Sequence, residues 1–380
     1  MNLIRQSATF DKKLLDSDAL KIVKKINKSG YEAYLVGGCI RDLLLGYKPK
    51  DFDIATNATP EEIKKLFKRS RIIGRRFKLV HIMFSSRKFI EVATFRSSKL
   101  NQSSSRGMVL RDNYYGSLKD DVFRRDFTIN GLYFDINSSK VIDYVGGLED
   151  LKSLQINMIG NPSERFEEDP VRMIRAVRFK VKLNATINSK LNNSIVKNSH
   201  LLSNVSPSRL YEEVIKLFHN EHSLKIFLEL SNLGILKYLF PQTKEDSFVT
   251  ASLVNTSERI KNGRSVTPAF LFAVFLWSAQ NKRFNELKKK NISHAELMIK
   301  ASEDVIKMQV RQVMMPRWLS GRVKDIWLMQ HQLENHNPKK INELLGNPRF
   351  RMAYDFFVLR SQSIDKKLKA RAEYWTNIQK

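Results

Sequence analysis

A single cysteine, Cys39, stands in 380 residues. That scarcity excludes an internal disulfide framework, a cysteine-rich zinc site and a cysteine-held iron–sulfur cluster, and a reducing, cytoplasmic setting is the expectation. Long apolar runs are also missing. The longest, AFLFAVFLWSA at 269–279, is far short of the ~20 residues a spanning helix needs. Thr267-Pro268 ahead of it supplies an N-cap and a first-turn proline, so it reads as a buried core helix and no membrane segment is expected. The first twenty residues show neither the apolar core nor the small-residue cleavage site of a secretory signal. No fixed-period repeat or low-complexity tract is evident. Acidic residues are few, 39 against 66 Lys and Arg, leaving a net charge of +27. A surface this basic calls for a polyanion, because neutralising phosphates releases condensed counterions. The excess is uneven: residues 251–380 hold 24 basic and 11 acidic residues, about twice the charge density of the rest.

What is present is an ordinary globular mixture, 42% hydrophobic and 28% charged. A helix with a basic polar face is expected over 17–28, then a Gly30 turn, a strand in YEAYLV (31–36) and a helix in CIRDLLLG ending at Gly46. DFDIAT (51–56) reads as a short strand, and Thr59-Pro60-Glu61-Glu62 opens a helix with a capping-box pattern. FKLVHIMF (77–84) and KFIEVATF (88–95), parted by Ser85-Ser86-Arg87, suit a hairpin. Residues 97–121, rich in Ser, Asn and Arg, are expected to form a mobile loop. Strand-like LYFDI and KVIDYV (132–145) close this region at Gly146-Gly147. From about 148 helical periodicity takes over, in EDPVRMIRAVRFKVKL, PSRLYEEVIKLFHN, SLKIFLELSNLGILKYLF and FRMAYDFFVLRSQ. The expected fold class is α+β, a head with a small mixed sheet followed by an all-helical remainder.

The densest chemistry lies in LVGGCIRDLLLGYKPKDFDIAT, residues 35–56. On a strand, Asp51 and Asp53 face the same way across Phe52, which turns to the core, and the two carboxylates can hold hard divalent cations. Gly37-Gly38 at a strand-to-helix junction clears side chains where backbone N–H groups can approach a phosphate, and Arg41 lies one turn on. Each part alone has a plainer account: a solvated turn, a GG bend, an Arg41 paired with Asp42 or Glu32. Their order on a strand, turn, helix, strand frame points instead to a metal–triphosphate cradle. The glycines fit neither the Rossmann nor the P-loop pattern.

GG-x-x-RD-x-LLG followed by DFD resembles the class II nucleotidyltransferases of the polymerase β superfamily, the group of bacterial tRNA CCA-adding enzymes and bacterial poly(A) polymerases. RRDFTIN (124–130) resembles the family's ribose-selecting motif, YVGGLEDL (144–151) its hinge, and EEDPVRMIRAVRF (167–179) its base-recognition helix. IGRRFKLVHIMF (73–84), IEVATFR (90–96), IGNPSERFEEDPVRMIRAVRF (159–179) and NPRFRMAYDFFVLR (347–360) lean to the poly(A) branch. The resemblance implies a polymerase β-type head over 25–147 after an N-terminal extension at 1–24. A helical neck with the base-recognition helix then spans 148–220, and a helical body with a basic RNA-binding region spans 221–380.

Adenylyl transfer to an RNA 3′-hydroxyl needs an activated nucleophile and relief of charge on departing pyrophosphate, which two Mg2+ ions held by carboxylates supply, with Mn2+ as an alternative. Asp51 and Asp53 are the expected metal ligands. The third acid is open between Glu91, on an adjacent strand, and Asp126, expected to be catalytic. Arg125 with Asp126 can read the ribose, or form an internal pair. Asp169-Pro170 has the look of an N-cap followed by N1 proline; the resemblance implies instead that Asp169 and Arg172 read the incoming base, with Glu168 buttressing Arg172. Gly37, Gly38, Arg41 and Arg125 complete the expected nucleotide site. Trp318, Phe350, Tyr354 and Trp375 are candidates to stack RNA bases, core packing being the better account of Phe350 and Tyr354. The implied activity is template-independent addition of AMP from ATP to RNA 3′ ends, in RNA processing and turnover. The rivals are a tRNA CCA-adding enzyme and a non-catalytic RNA-binding protein with a degenerate head.

Overall fold

The computed structural model describes residues 3–74, 78–85, 88–97, 115–288, 293–335 and 338–379. It divides into two units, residues 1–172 with 183–198, and residues 173–182 with 199–380. The first is built on strands β1 (Ile4–Ser7), β2 (Ala33–Val36), β3 (Asp53–Thr56), β4 (Ser70–Ile73), β5 (Leu79–Met83), β6 (Phe89–Thr94), β7 (Tyr133–Asp135) and β8 (Lys140–Asp143). Their order across the sheet is β1-β8-β7-β2-β3-β6-β5-β4. Every neighbouring pair is antiparallel except β3 and β6.

The helices of this unit are α1 (Ser17–Lys28), α2 (Gly38–Leu44), α3 (Pro60–Leu66), α4 (Leu118–Phe123), α5 (Gly147–Lys152), α6 (Pro162–Glu168), the start of α7 (Val171–Lys182) and α8 (Ser189–Asn198). Local chemistry sets their ends. Asp16 accepts from the N–H groups of Asp18 and Ala19 to open α1, whose Ile22, Val23 and Ile26 are buried. Thr59 and Glu62 close the expected capping box on α3. Val36, Ala55, Phe95, Val122, Tyr133 and Ile142 meet in one buried cluster. At the expected hinge, Asp143 accepts from the N–H groups of Val145, Gly146 and Leu148, each at 2.9 Å. Gly147 is obligatory there, since a Cβ would lie 2.2 Å from the Thr128 carbonyl oxygen.

Three features depart from the sequence reading. The loop expected over 97–121 gives way to α4 at its end, because Ser117 and Asp120 form a capping box and Leu118 and Val122 are buried; residues 98–114 lie outside the described residues. β1 and β4, four residues each, are added at the two edges of the sheet. β5 and β6 pair as expected of the hairpin, although residues 86–87 of its turn and 75–77 before it lie outside the described residues.

The second unit holds the rest of α7 and the helices α9 (Pro207–Phe218), α10 (Ser223–Asn232), α11 (Leu236–Leu239), α12 (Ser247–Lys261), α13 (Pro268–Leu287), α14 (His294–Gln309), α15 (Arg317–Glu334), α16 (Ile341–Leu345), α17 (Phe350–Ser363) and α18 (Lys369–Ile378). The apolar run at 269–279 is the centre of α13, capped by the Thr267 side chain and buried from Ala269 through Trp277. Among the described residues no helix is long and apolar enough to cross a membrane. Phe350, Tyr354 and Trp375 share one core cluster, and the Trp375 indole N–H donates to the Leu333 carbonyl at 2.9 Å. Trp375 is therefore a core residue and not a stacking platform. Trp318 is 48% exposed, with the Arg322 guanidinium 5.2 Å from its ring centre.

Candidate active site

The alternation of DFD is realised at the mouth of β3, where Asp51 and Asp53 are exposed and Phe52 between them is buried. Only Asp53 lies within the strand. Its register partners are Val36 on β2 and, across the parallel pair, Glu91 on β6. Directly opposed residues point to the same face, so the Glu91 carboxylate stands beside that of Asp53. His81 of β5 braces it, with Nε2 3.2 Å from Glu91 Oε1.

Asp53 is open to solvent yet ringed by protein. Loss of hydration raises its pKa, the Glu91 charge raises it further, Arg125 pulls it back and Asp51 adds to the rise, with a net result of about 6 against an ordinary 3.8. The folded chain without metal thus holds an extra proton between about pH 4 and 6, so its stability falls as pH rises through that window. Asp53→Asn removes the unfavourable charge. At pH 7 the metal-free variant is expected to melt roughly 2–4 °C higher, about 1 kcal/mol after discounting for solvent screening. A lower melting temperature, measured by calorimetry in chelator, would count against this electrostatic picture.

Gly37 joins β2 to α2 with φ of 74°, and a Cβ there would come 3.3 Å from Arg125 Nη1. Arg125 is held from behind: its Nε donates to the Tyr133 hydroxyl at 2.7 Å and its Nη2 to Asp121 Oδ2 at 3.1 Å. Asp121 is buried and also accepts from Arg124 Nε at 2.7 Å, from the Arg96 N–H at 3.1 Å and from the Tyr133 hydroxyl. Burial alone would raise its pKa, but Arg125, Arg124 and the Tyr133 hydroxyl outweigh it and hold it down at about 2. The carboxylate paired with Arg125 is therefore Asp121, and not the adjacent Asp126.

Asp126 is buried, its Oδ1 accepting from the Phe127 N–H at 2.8 Å and from Asn130 Nδ2 at 3.1 Å. Asn130 Oδ1 in turn accepts from Arg41 Nη1 at 2.7 Å. Arg41, also buried, gives Nε and Nη2 to Asp42 Oδ1 at 2.9 and 2.7 Å. Arg41 is thus tied to Asp42 on its own helix and to Asn130, and Gly38 begins α2.

Past the hinge, Asp169 closes α6 and its Oδ1 accepts from the Val171 N–H at 3.2 Å as α7 begins, which is the capping function read from the sequence. Arg172 is fixed as well: its Nη1 donates to the Arg165 carbonyl at 2.7 Å and to Glu168 Oε2 at 2.9 Å, the expected buttress. Arg165 Nη2 reaches the carbonyls of Arg124 and Arg125 at 2.6 and 2.8 Å, and its Nη1 pairs with Glu168. Hydrogen bonds therefore run unbroken from Arg172 to the backbone of Arg125. Asp121, Tyr133 and Arg165 are absent from the sequence-based set. The i, i+4 spacing of Asp121 and Arg125 was the available signal, and it is shared with any solvated helix face.

A mixed sheet with paired carboxylates at the mouth of a central strand and an acid in register beside them defines a nucleotidyltransferase of the polymerase β type. Family models match in sequence order: the poly(A) polymerase head domain over residues 33–157, the probable RNA- and SrmB-binding site of polymerase A over 184–247, and the arginine-rich C-terminus of polymerase A over 290–380. Poly(A) polymerase I of Salmonella typhi is 39% identical over 395 aligned positions, covering 99% of this chain and 85% of that protein. The CCA-adding enzyme of Ligilactobacillus salivarius is 40% identical over 58% of this chain and 54% of its own. In fold, a CCA-adding enzyme solved with ATP superposes with a TM-score of 0.68 at 21% identity, over 99% of this chain and 87% of that one. The chain belongs to the bacterial poly(A) polymerase family, within the class II nucleotidyltransferases.

Proposed function

We propose that this chain adds AMP from ATP to RNA 3′ ends without a template, releasing pyrophosphate, and that Asp51, Asp53 and Glu91 are the acids that would hold divalent cations there. The observation that carries the reading is the in-register pairing of Asp53 with Glu91, beside Asp51. A carboxylate whose pKa is raised to about 6, first by burial and then by the neighbouring charges of Glu91 and Asp51, sits where a cation would relieve the unfavourable charge. Among the described residues no three acid, imidazole or thiol groups make a ready cage. Mg2+ suits that arrangement, because it keeps waters and is bound by one or two carboxylates together with substrate phosphates; Mn2+ takes the same oxygen donors. When bound, the cations would activate the 3′-hydroxyl and neutralise charge on pyrophosphate.

The third acid is assigned to Glu91, because Asp126 is buried against Asn130 and serves as a positioning residue for it and, through it, for Arg41. Arg125, anchored by Asp121 and Tyr133, presents Nη1 over Gly37 to a phosphate oxygen or the ribose. The poly(A) reading is supported over the CCA rival by likeness along 99% of the chain, against 58% for the CCA-adding relative. The intact acids and the anchored Arg125 argue against a degenerate head. The buried Cys39 thiol suits a reducing, cytoplasmic setting.

Asp169 and Arg172 are assigned to reading the adenine edge. A hydrogen-bonding site rejects bases that leave its polar groups unpaired. Arg172→Ala is therefore expected to narrow the ATP-to-CTP ratio of kcat/KM by about ten- to a hundredfold. An unchanged ratio in a variant that merely melts earlier would reduce Arg172 to a helix-capping role.

A further inference from the structure

We propose that a hollow in the second unit, walled by residues 241–244 and by α13 and α14, takes one nucleotide of a bound single-stranded RNA; this rests on the reading that RNA is the substrate. The hollow measures about 590 Å3, within the range of sites that enclose a small ligand. Four cations rim it: Lys244 before α12, Lys282 on α13, and Lys307 and Arg311 at the end of α14. Among the described residues none of the four forms an ion pair. Arg283, in the same wall, shows the contrast: it pairs with Asp304 at 2.8 Å and Glu286 at 3.1 Å, two acids of the same lining, which still leaves the basic residues in excess there. Unpaired cations around one concavity repel each other, and a polyanion relieves that repulsion. The lining also carries apolar groups, buried Val305, half-buried Ala279 and Met308, which is 55% exposed. Basic side chains and soft apolar groups around one hollow suit a phosphate and the face of a base, the two surfaces single-stranded RNA offers at every step.

A free nucleoside triphosphate shares that chemistry, so the test carries both ligands. The full chain bearing Lys244→Gln, Lys282→Gln and Lys307→Gln is compared with the unaltered chain and with a control, Lys21→Gln, Lys24→Gln and Lys28→Gln on α1. Affinity for a labelled single-stranded RNA is measured over a range of salt, and ATP binding is measured without RNA. Each phosphate neutralised contributes ~0.7 to the slope of log K against log salt, and one nucleotide brings its own phosphate and the next, so removing the three lysines should flatten the slope by about 1 and weaken binding about tenfold at 0.1 M salt. ATP affinity should be unchanged and the control should lose far less. Equal losses in both triple variants, an unchanged slope, or a loss confined to ATP would each overturn the hollow as an RNA subsite. If the unaltered chain extends RNA while the variant binds it normally, the hollow alone fails. If the unaltered chain neither binds nor extends RNA, the adenylyltransferase reading fails and takes the hollow with it.

Discussion

Asp51→Ala and Asp53→Ala are each expected to slow nucleotide addition by about a thousandfold or more while leaving the head folded, a loss of about 4 kcal/mol in transition-state stabilisation. Both residues are exposed at the mouth of β3 with buried Phe52 between them, so either can be truncated without opening a cavity. On the proposed assignment, what is removed is negative charge where cations and the reacting phosphate would meet. Glu91→Ala should follow in the same direction, since its backbone sits in register with Asp53 in the parallel ladder. Single-turnover rates with saturating ATP and a short RNA primer read the effect directly. Retention of more than about a tenth of the rate by both aspartate variants would end the assignment, because a ligand of the reacting phosphate's metals is worth far more than one decade.

The second large effect is on stability. Asp121→Ala should cost about 3 kcal/mol, because it strips the counter-charge from Arg124 and Arg125 and the acceptor from Tyr133 and the Arg96 N–H within a buried setting. The two guanidiniums are partly exposed, which keeps the figure at the low end for breaking a buried pair. The sign with pH follows from a folded pKa of about 2 against 3.8. Asp121 contributes its full stabilisation above about pH 4 and loses it as pH falls towards 2. Denaturant melts of the unaltered chain and of Asp121→Ala should therefore differ most at neutral pH and converge in acid. Activity should fall with it, since Arg125 is aimed by Asp121 and Tyr133. A difference below about 1 kcal/mol at pH 7 would mean that water and Tyr133 alone suffice to hold the two arginines.

Local signals carried the parts of the molecule that local chemistry decides. The Thr59 to Glu62 capping box, the Thr267-Pro268 start of α13 and the out-in-out alternation of Asp51, Phe52 and Asp53 each depend on residues within a few positions of one another. The network behind the site was not legible for the opposite reason. Asp121 meets the Arg96 backbone 25 residues away and the Tyr133 hydroxyl 12 residues away, separations no periodicity encodes. Arg125 and Asp126 are adjacent in sequence, which invited their pairing. In the fold they diverge, one towards Tyr133 and the other towards Asn130. Trp375 failed as a stacking candidate because helical spacing shows that a face exists, not what covers it; Leu333 and Phe350 do. The edge strands β1 and β4 were not legible because neither holds a buried residue, so no apolar face marks them, whereas the equally short β2, β3 and β8 are mostly buried.

What the chain polymerises decides between an adenylyltransferase and its rivals. The unaltered protein, with Mg2+, is incubated with a generic RNA and with a tRNA lacking its 3′ end, each in the presence of one nucleoside triphosphate at a time. Long extension of both RNAs by ATP, with little or none by CTP, GTP or UTP, is the predicted result. Addition confined to the tRNA, consuming CTP and then ATP and stopping there, would contradict it and turn the site into that of a CCA-adding enzyme.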